Sequence, residues 1–269
     1  MVRFLVAAGL VFLSACRPGA PAGDPVAGIF DGSAGRWVDL THAFSEESIY
    51  WPTARGFSFD TVAYGPTEGG WFYAAFDFSG AEHGGTHLDA PVHFAEGRLT
   101  ADQIPLSGLM GPAAVVDVSA KADADYLVSV ADLQGWEAAH GPLPDGGILL
   151  LRTGWASRWE DRTAYLGTDL TGPEAVPALH FPGLDPEAAR WLVAERGVVA
   201  VGIDTPSIDR GQSTTFESHV VLYSENMAGF ENVANLDQLP AEGSYVVALP
   251  MKIQGGSGGP LRIVAFIPS

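Results

Sequence analysis

His83-Gly84-Gly85-Thr86-His87-Leu88-Asp89-Ala90-Pro91-Val92-His93-Phe94 gathers three of the chain's seven histidines and an aspartate into one short segment. Imidazole nitrogen with carboxylate oxygen is a donor set that holds zinc, manganese or iron and leaves positions open for water. His83 and His87 are four apart, a spacing that shares a face on a helix. Gly84-Gly85-Thr86 argues against a helix there. In extended chain His83, His87 and Asp89 still share a side, and the glycines let the backbone bend toward an ion. Pro91 then sets a turn, with His93 just beyond it. A lone histidine is more often a hydrogen-bonded structural residue, which is the expectation for His42, His180 and His140, the last suiting a helix C-terminus. Three with an aspartate read as a metal site.

Outward from this segment the chain reads as strands, then strand and helix alternating, then strands again. Trp37-Val38-Asp39-Leu40-Thr41 predicts an opening strand. Residues 71–78 alternate, which predicts a half-buried strand with Phe72, Ala74, Phe76 and Phe78 on its core face. Residues 113–118 and Ile148–Arg152 are apolar runs that suit buried strands. Between them Val130–His140 predicts a helix closed by Gly141. Residues 186–196 predict another, with Asp185 as N-cap, Pro186 in the first turn and Gly197 just past the end. Its apolar stripe is Ala189, Leu192 and Val193. A buried strand is expected over 198–203, a short helix over 216–223, and two closing strands over 245–253 and 261–267. The glycine-rich stretch 255–260 lacks the Lys-Ser/Thr of a phosphate loop and precedes no helix pattern, so it reads as a tight connection. The predicted fold class is α/β, one domain with a mixed β-sheet core and few helices.

At 269 residues, 47% hydrophobic, the chain can bury a sizeable core. Its 32 acidic and 14 basic residues give a net charge of -18, which repels phosphate backbones and argues against nucleic-acid binding. Arg3 precedes an apolar run over 4–13 that is too short to span a bilayer. It ends in Leu13-Ser14-Ala15-Cys16, which resembles a bacterial lipoprotein signal. That resemblance implies a signal over 1–15, lipid on Cys16 (the chain's one cysteine), and a Pro/Gly/Ala-rich tether over 16–35. Several acyl chains anchor stably where one would not. Arg17 rather than aspartate after Cys16 points to the outer membrane, facing the periplasm. The catalytic domain would span 36–269.

His-x-Gly-Thr-His-x-Asp-x-Pro-x-His resembles the signature of the cyclase-like metal hydrolases, a family that includes bacterial kynurenine formamidase and isatin hydrolase. Asp39-Leu40-Thr41-His42, Trp51-Pro52, Gly202-Ile203-Asp204-Thr205-Pro206-Ser207-Ile208-Asp209 and Glu231-Asn232-Val233-Ala234-Asn235-Leu236 match further stretches in the same order. The resemblance implies a swivelling β/α/β architecture and a homodimer or homotetramer. It makes His83, His87 and Asp89 ligands of a first ion and His93 the catalytic histidine. In formamidase-like members a later histidine and a glutamate twelve residues beyond hold a second ion, and His219 and Glu231 stand at that spacing. Isatin-hydrolase-like members work with a single manganese, in which case Glu231 would orient a neighbour. Trp51 matches a substrate-side position.

A bound zinc or manganese ion would make water acidic enough to deprotonate near neutral pH and would polarise the carbonyl of an amide. The expected reaction is hydrolysis of an aryl formamide resembling N-formylkynurenine, His93 carrying the proton to the leaving nitrogen. A second reading is opening of a cyclic amide such as isatin. A third is a surface lipoprotein that binds metal or ligand without turnover, which would not need His93. Asp204 is expected to support the site from behind, and Arg262 to form either a substrate contact or a structural salt bridge.

Overall fold

The apolar runs at the centre of the sequence become the centre of a sheet. In the computed structural model, which describes residues 25–269, β1 (Gly35–Asp39) follows a short helix α1 (Pro25–Asp31). A hairpin of β2 (Ser58–Pro66) and β3 (Phe72–Ser79) precedes the three-residue β4 (His87–Asp89). Then come β5 (Met110–Asp117), β6 (Leu127–Val128), α2 (Val130–His140), β7 (Ile148–Arg152), α3 (Arg162–Leu166) and β8 (Gly183–Leu184). The chain ends with α4 (Pro186–Glu195), β9 (Ala200–Ile203), α5 (Glu217–Ser224), β10 (Ala228–Glu231), β11 (Ser244–Pro250) and β12 (Gly258–Pro268). The expected signal, the lipidated Cys16 and the first part of the tether lie outside the described residues.

The main sheet has eight strands in the order β1-β12-β11-β5-β7-β9-β10-β4. β5, β7, β9 and β10 run parallel, whereas β11, β12, β1 and β4 pair antiparallel. β12 also pairs with β4, so the sheet closes on itself through that short strand. Both faces of the central strands are buried. Ala113, Val115, Ile148 and Leu150 join Leu88, Val246 and Ile263 inside the closed sheet. Ala114, Val116, Leu149 and Leu151 pack on Leu133, Leu192 and Leu222 from α2, α4 and α5. Each such fully buried valine, leucine or isoleucine contributes about 1.5–3 kcal/mol. This is the mixed α/β domain with few helices that the pattern implied.

Local chemistry accounts for the helix ends. Ser129 and Asp132 form a reciprocal capping box on α2, and Asp185 caps α4. Three expectations need correction. Gly197 is not a left-handed helix terminator. The cap residue Arg196 is extended, and a Cβ on Gly197 would lie 2.6 Å from the Asp145 carboxylate, so glycine there permits close approach. The tether does not run unstructured to Gly35, because α1 is tied back by the Trp37 indole N–H on the Ile29 carbonyl and β1 begins at Gly35. The even face of β3 is not core. Phe72 is 61% and Phe78 56% exposed, and rings of this face instead meet those of β2 across the hairpin, Phe76 stacked on Phe59 at 4.6 Å and Phe72 edge-on to Tyr64 at 5.2 Å.

Candidate metal centre

β4 is clamped on both sides, and its register builds the centre. Glu231 of β10 stands opposite His87, while Gly229 and Gly258 flank Asp89. Paired residues share a face, as do residues two apart on one strand. His87, Asp89 and Glu231 therefore point together while Leu88 enters the core. His83 reaches them because the chain bends at Gly84-Gly85. A Cβ on Gly84 would overlap the Tyr50 ring at 2.0 Å, and Gly85 has φ +59°. His219 comes from α5, whose first turn is held by Asp209 accepting the Ser218 and His219 N–H groups.

Asp89 lies at the middle. Its Oδ1 is 2.6 Å from His83 Nδ1 and 3.1 Å from His87 Nε2. Its Oδ2 is 3.4 Å from His219 Nε2 and accepts the Tyr223 hydroxyl at 3.0 Å. Glu231 Oε1 is 3.0 Å from His219 Nε2, and Oε2 is 3.4 Å from His87 Nε2. Two donor groups result, His83-His87-Asp89 and Asp89-His219-Glu231, each tight enough to share one ion.

The imidazole tautomers suit this use. His87 Nδ1–H donates to the Gly85 carbonyl at 2.9 Å, and His219 Nδ1–H donates to Asp209 at 2.5 Å. Ser257 gives its hydroxyl hydrogen to Glu82 at 2.6 Å, so its Oγ accepts His83 Nε2–H at 2.9 Å. Each histidine thus turns a bare nitrogen toward the carboxylates, the outer partners fixing ring and tautomer. His87 Nε2 is buried and makes no hydrogen bond. A buried nitrogen without a hydrogen-bond partner, set between two carboxylate oxygens, fits a divalent cation.

Electrostatics agree. Burial opposes charge on His87, but Asp89 and Glu231 overcome it and push the imidazole up to about 10. Burial would raise Asp89, yet its three histidine neighbours hold it well below the usual carboxylate range. This much negative charge draws a proton where a cation would sit. His93 differs. It follows Pro91 on a short helical turn, stacks on His83 at 3.8 Å, and stays 4.0 Å from Asp89. Burial pulls it down to about 4.

A pocket of about 310 Å³ opens above these groups, walled by Ile49, Trp51, Ala81, Phe94 and Phe216. Among the described residues no lysine or arginine lines it. Trp51 lines the pocket, and Trp71, Phe72 and Tyr73 stand exposed on the hairpin. His140 and His180 have structural settings, near Glu242 and Asp125, and His42 stacks on Trp159. Arg262 pairs with Asp39, the structural alternative. Buried Asp204 holds the turn at Thr153–Trp155, and Tyr165 links its carbonyl to Asn232. Asn232 in turn donates to Gly85 O, the acceptor that orients His87. The sequence reading assigned no role to Asp209, Ser257, Glu82, Phe94 or Phe216. Only Asp209 carried a signal, as the acidic end of a matched stretch ten residues before His219.

Comparison with known proteins agrees with this geometry. The model of the Cyclase family matches residues 38–210. The chain is 36% identical over 197 residues to isatin hydrolase of Roseibium aggregatum, covering 70% of this chain and 72% of that one. It is 34% identical over 183 residues to kynurenine formamidase of Bordetella petrii, covering 68% and 75%. The fold superposes on isatin hydrolase A of Ralstonia solanacearum with TM-score 0.81 and 34% identity, covering 94% of this chain and all (100%) of that one.

Proposed function

The chain belongs to the Cyclase family and is a metal-dependent amidohydrolase, and from that premise we propose that it cleaves the C–N bond of a small, neutral aromatic amide. The observation that carries this is an anionic nitrogen–oxygen cradle at the base of an apolar pocket without lysine or arginine. His83, His87 and Asp89 would hold one ion; His219 and Glu231 would share Asp89 around a second. The donors are imidazole and carboxylate, a set that suits manganese or zinc. When bound, the ion makes water acidic enough to deprotonate near neutral pH and polarises the carbonyl oxygen.

His93 carries the proton. Lowered to about 4 by burial, it is neutral at pH 7 and has a lone pair with which to take a proton from water and pass it to the leaving nitrogen. Trp51 and Phe94 exclude water and orient the ring. Assays of metal-loaded protein on formanilide and on isatin test the reading: formate release or loss of the isatin chromophore supports it, and no turnover of either contradicts it.

An aryl formamide such as N-formylkynurenine is one substrate class. A cyclic amide resembling isatin is the other, and a lining without lysine or arginine favours it, because N-formylkynurenine carries an amino-acid carboxylate that no ammonium or guanidinium group there would receive. The hydrolase relatives weigh against the reading of a binding protein without turnover.

We further propose that lipid on Cys16 anchors the enzyme in the cell envelope, in the outer membrane facing the periplasm. The sequence Leu13-Ser14-Ala15-Cys16 supports it, and mass spectrometry of the mature N-terminus tests it. The exposed aromatic hairpin supports a homodimer or homotetramer, which light scattering would measure.

A further inference from the structure

Four non-glycine residues of the described chain have left-handed backbone angles: Asn226, Asn232, Asn235 and Phe216. Asparagine tolerates that region through its short polar side chain, whereas a bulky aromatic there is an outlier. Phe216 has φ 48° and ψ 43° at the N-cap of α5, a position its side chain cannot cap. Asp209 takes over that duty by accepting the Ser218 and His219 N–H groups. No capping bond therefore accounts for the strain at Phe216. Strain of this kind collects at ligand sites, where the surrounding structure holds it.

The ring lies in the pocket wall. It meets Trp51 edge-on at 6.1 Å, Phe94 at 5.2 Å and His219 edge-on at 6.1 Å. Phe216 thus joins the Trp51 side of the pocket to the imidazole side. The backbone angle sets the direction of the Cβ, so the strained conformation and the placement of the ring are one feature.

We propose that Phe216 is a specificity-determining residue that selects amides bearing a planar aromatic group. Ring-edge and ring-face contacts reward an aryl group over a saturated ring of equal size. The inference rests on the amide-hydrolase reading above.

The test compares phenylacetamide with cyclohexylacetamide, by calorimetric binding and by competitive inhibition of isatin or formanilide turnover, on metal-loaded enzyme. Phe216→Asn and Phe216→Gly accept the left-handed backbone; Phe216→Leu keeps apolar bulk; Phe216→Tyr restores a ring. Wild type and Phe216→Tyr should prefer the phenyl compound. The Asn, Gly and Leu variants should lose about three- to tenfold of that preference, with KM raised more than kcat is lowered. An unchanged preference in those three variants, or equal or undetectable binding of both compounds by wild type, overturns the proposal. A phenyl preference that the variants lose, in a protein that turns over neither substrate, sinks the amide-hydrolase reading while leaving Phe216 as the residue that selects an aryl group.

Discussion

Glu231 stands directly opposite His87 across the β4–β10 ladder, its Oε2 3.4 Å from Nε2. Both side chains are buried, and the same carboxylate accepts the Ile208 N–H at 2.7 Å and faces His219 at 3.0 Å. Glu231→Ala should weaken divalent-metal affinity about ten- to hundredfold, the range seen when a metal site loses an orienting partner. Competition titration with a chromogenic chelator measures it. Wild-type affinity in the variant would remove Glu231 from the centre.

His93→Ala should separate binding from turnover. The ring is stacked on His83 but stays 4.0 Å from Asp89. Metal content should remain at the wild-type level while kcat falls about 100-fold or more. A rate near wild type would show that another group moves the proton.

Ser257 should act through His83. Its hydroxyl hydrogen goes to Glu82, which leaves Oγ to accept His83 Nε2–H and keep Nδ1 bare. Ser257→Ala frees the ring to adopt the other tautomer. Metal affinity should drop about tenfold or more, read by the same titration. No change would make the Glu82–Ser257 pair a feature of loop folding alone.

Metal-stripped protein should lose stability as pH rises. With no ion bound, His87 sits near 10 because the pull of Asp89 and Glu231 exceeds the penalty of burial, against 6.5 for a free histidine side chain. A raised folded-state pKa stabilises fully below the unfolded value and fades as pH climbs through the folded one. The thermal midpoint of the stripped protein should therefore fall between pH 6.5 and about 10. Metal-loaded protein, with the imidazole engaged, should lack that decline. A flat profile in stripped protein would contradict the proton-holding cluster.

The first donor group was legible because its chemistry is local. His83, His87 and Asp89 are neighbours in sequence, and the intervening glycines permit the bend that Gly85 makes. Glu231 reaches Asp89 through a nonlocal strand register and His219 through the placement of α5, neither of which spacing alone encodes; the family resemblance supplied them. The Ser257 contact spans 174 positions and left no pattern to read. The buried strands followed from apolar runs, since both their faces are covered. β3 misled for the converse reason. Alternation marks an amphipathic strand but does not say whether its apolar face is covered, and here that face stays exposed, its rings meeting those of β2 across the hairpin. Gly197 misled because the same residue type serves left-handed caps and close backbone approach. Phe216 could not be found at all, because a strained backbone angle is imposed by tertiary structure.

The most direct measurement is turnover of isatin and formanilide by enzyme stripped with a chelator and then titrated with manganese or zinc. The account predicts that activity disappears on stripping and returns in proportion to ion bound, with no return in a His87→Ala, Asp89→Ala double variant. Full activity in protein freed of metal would contradict it.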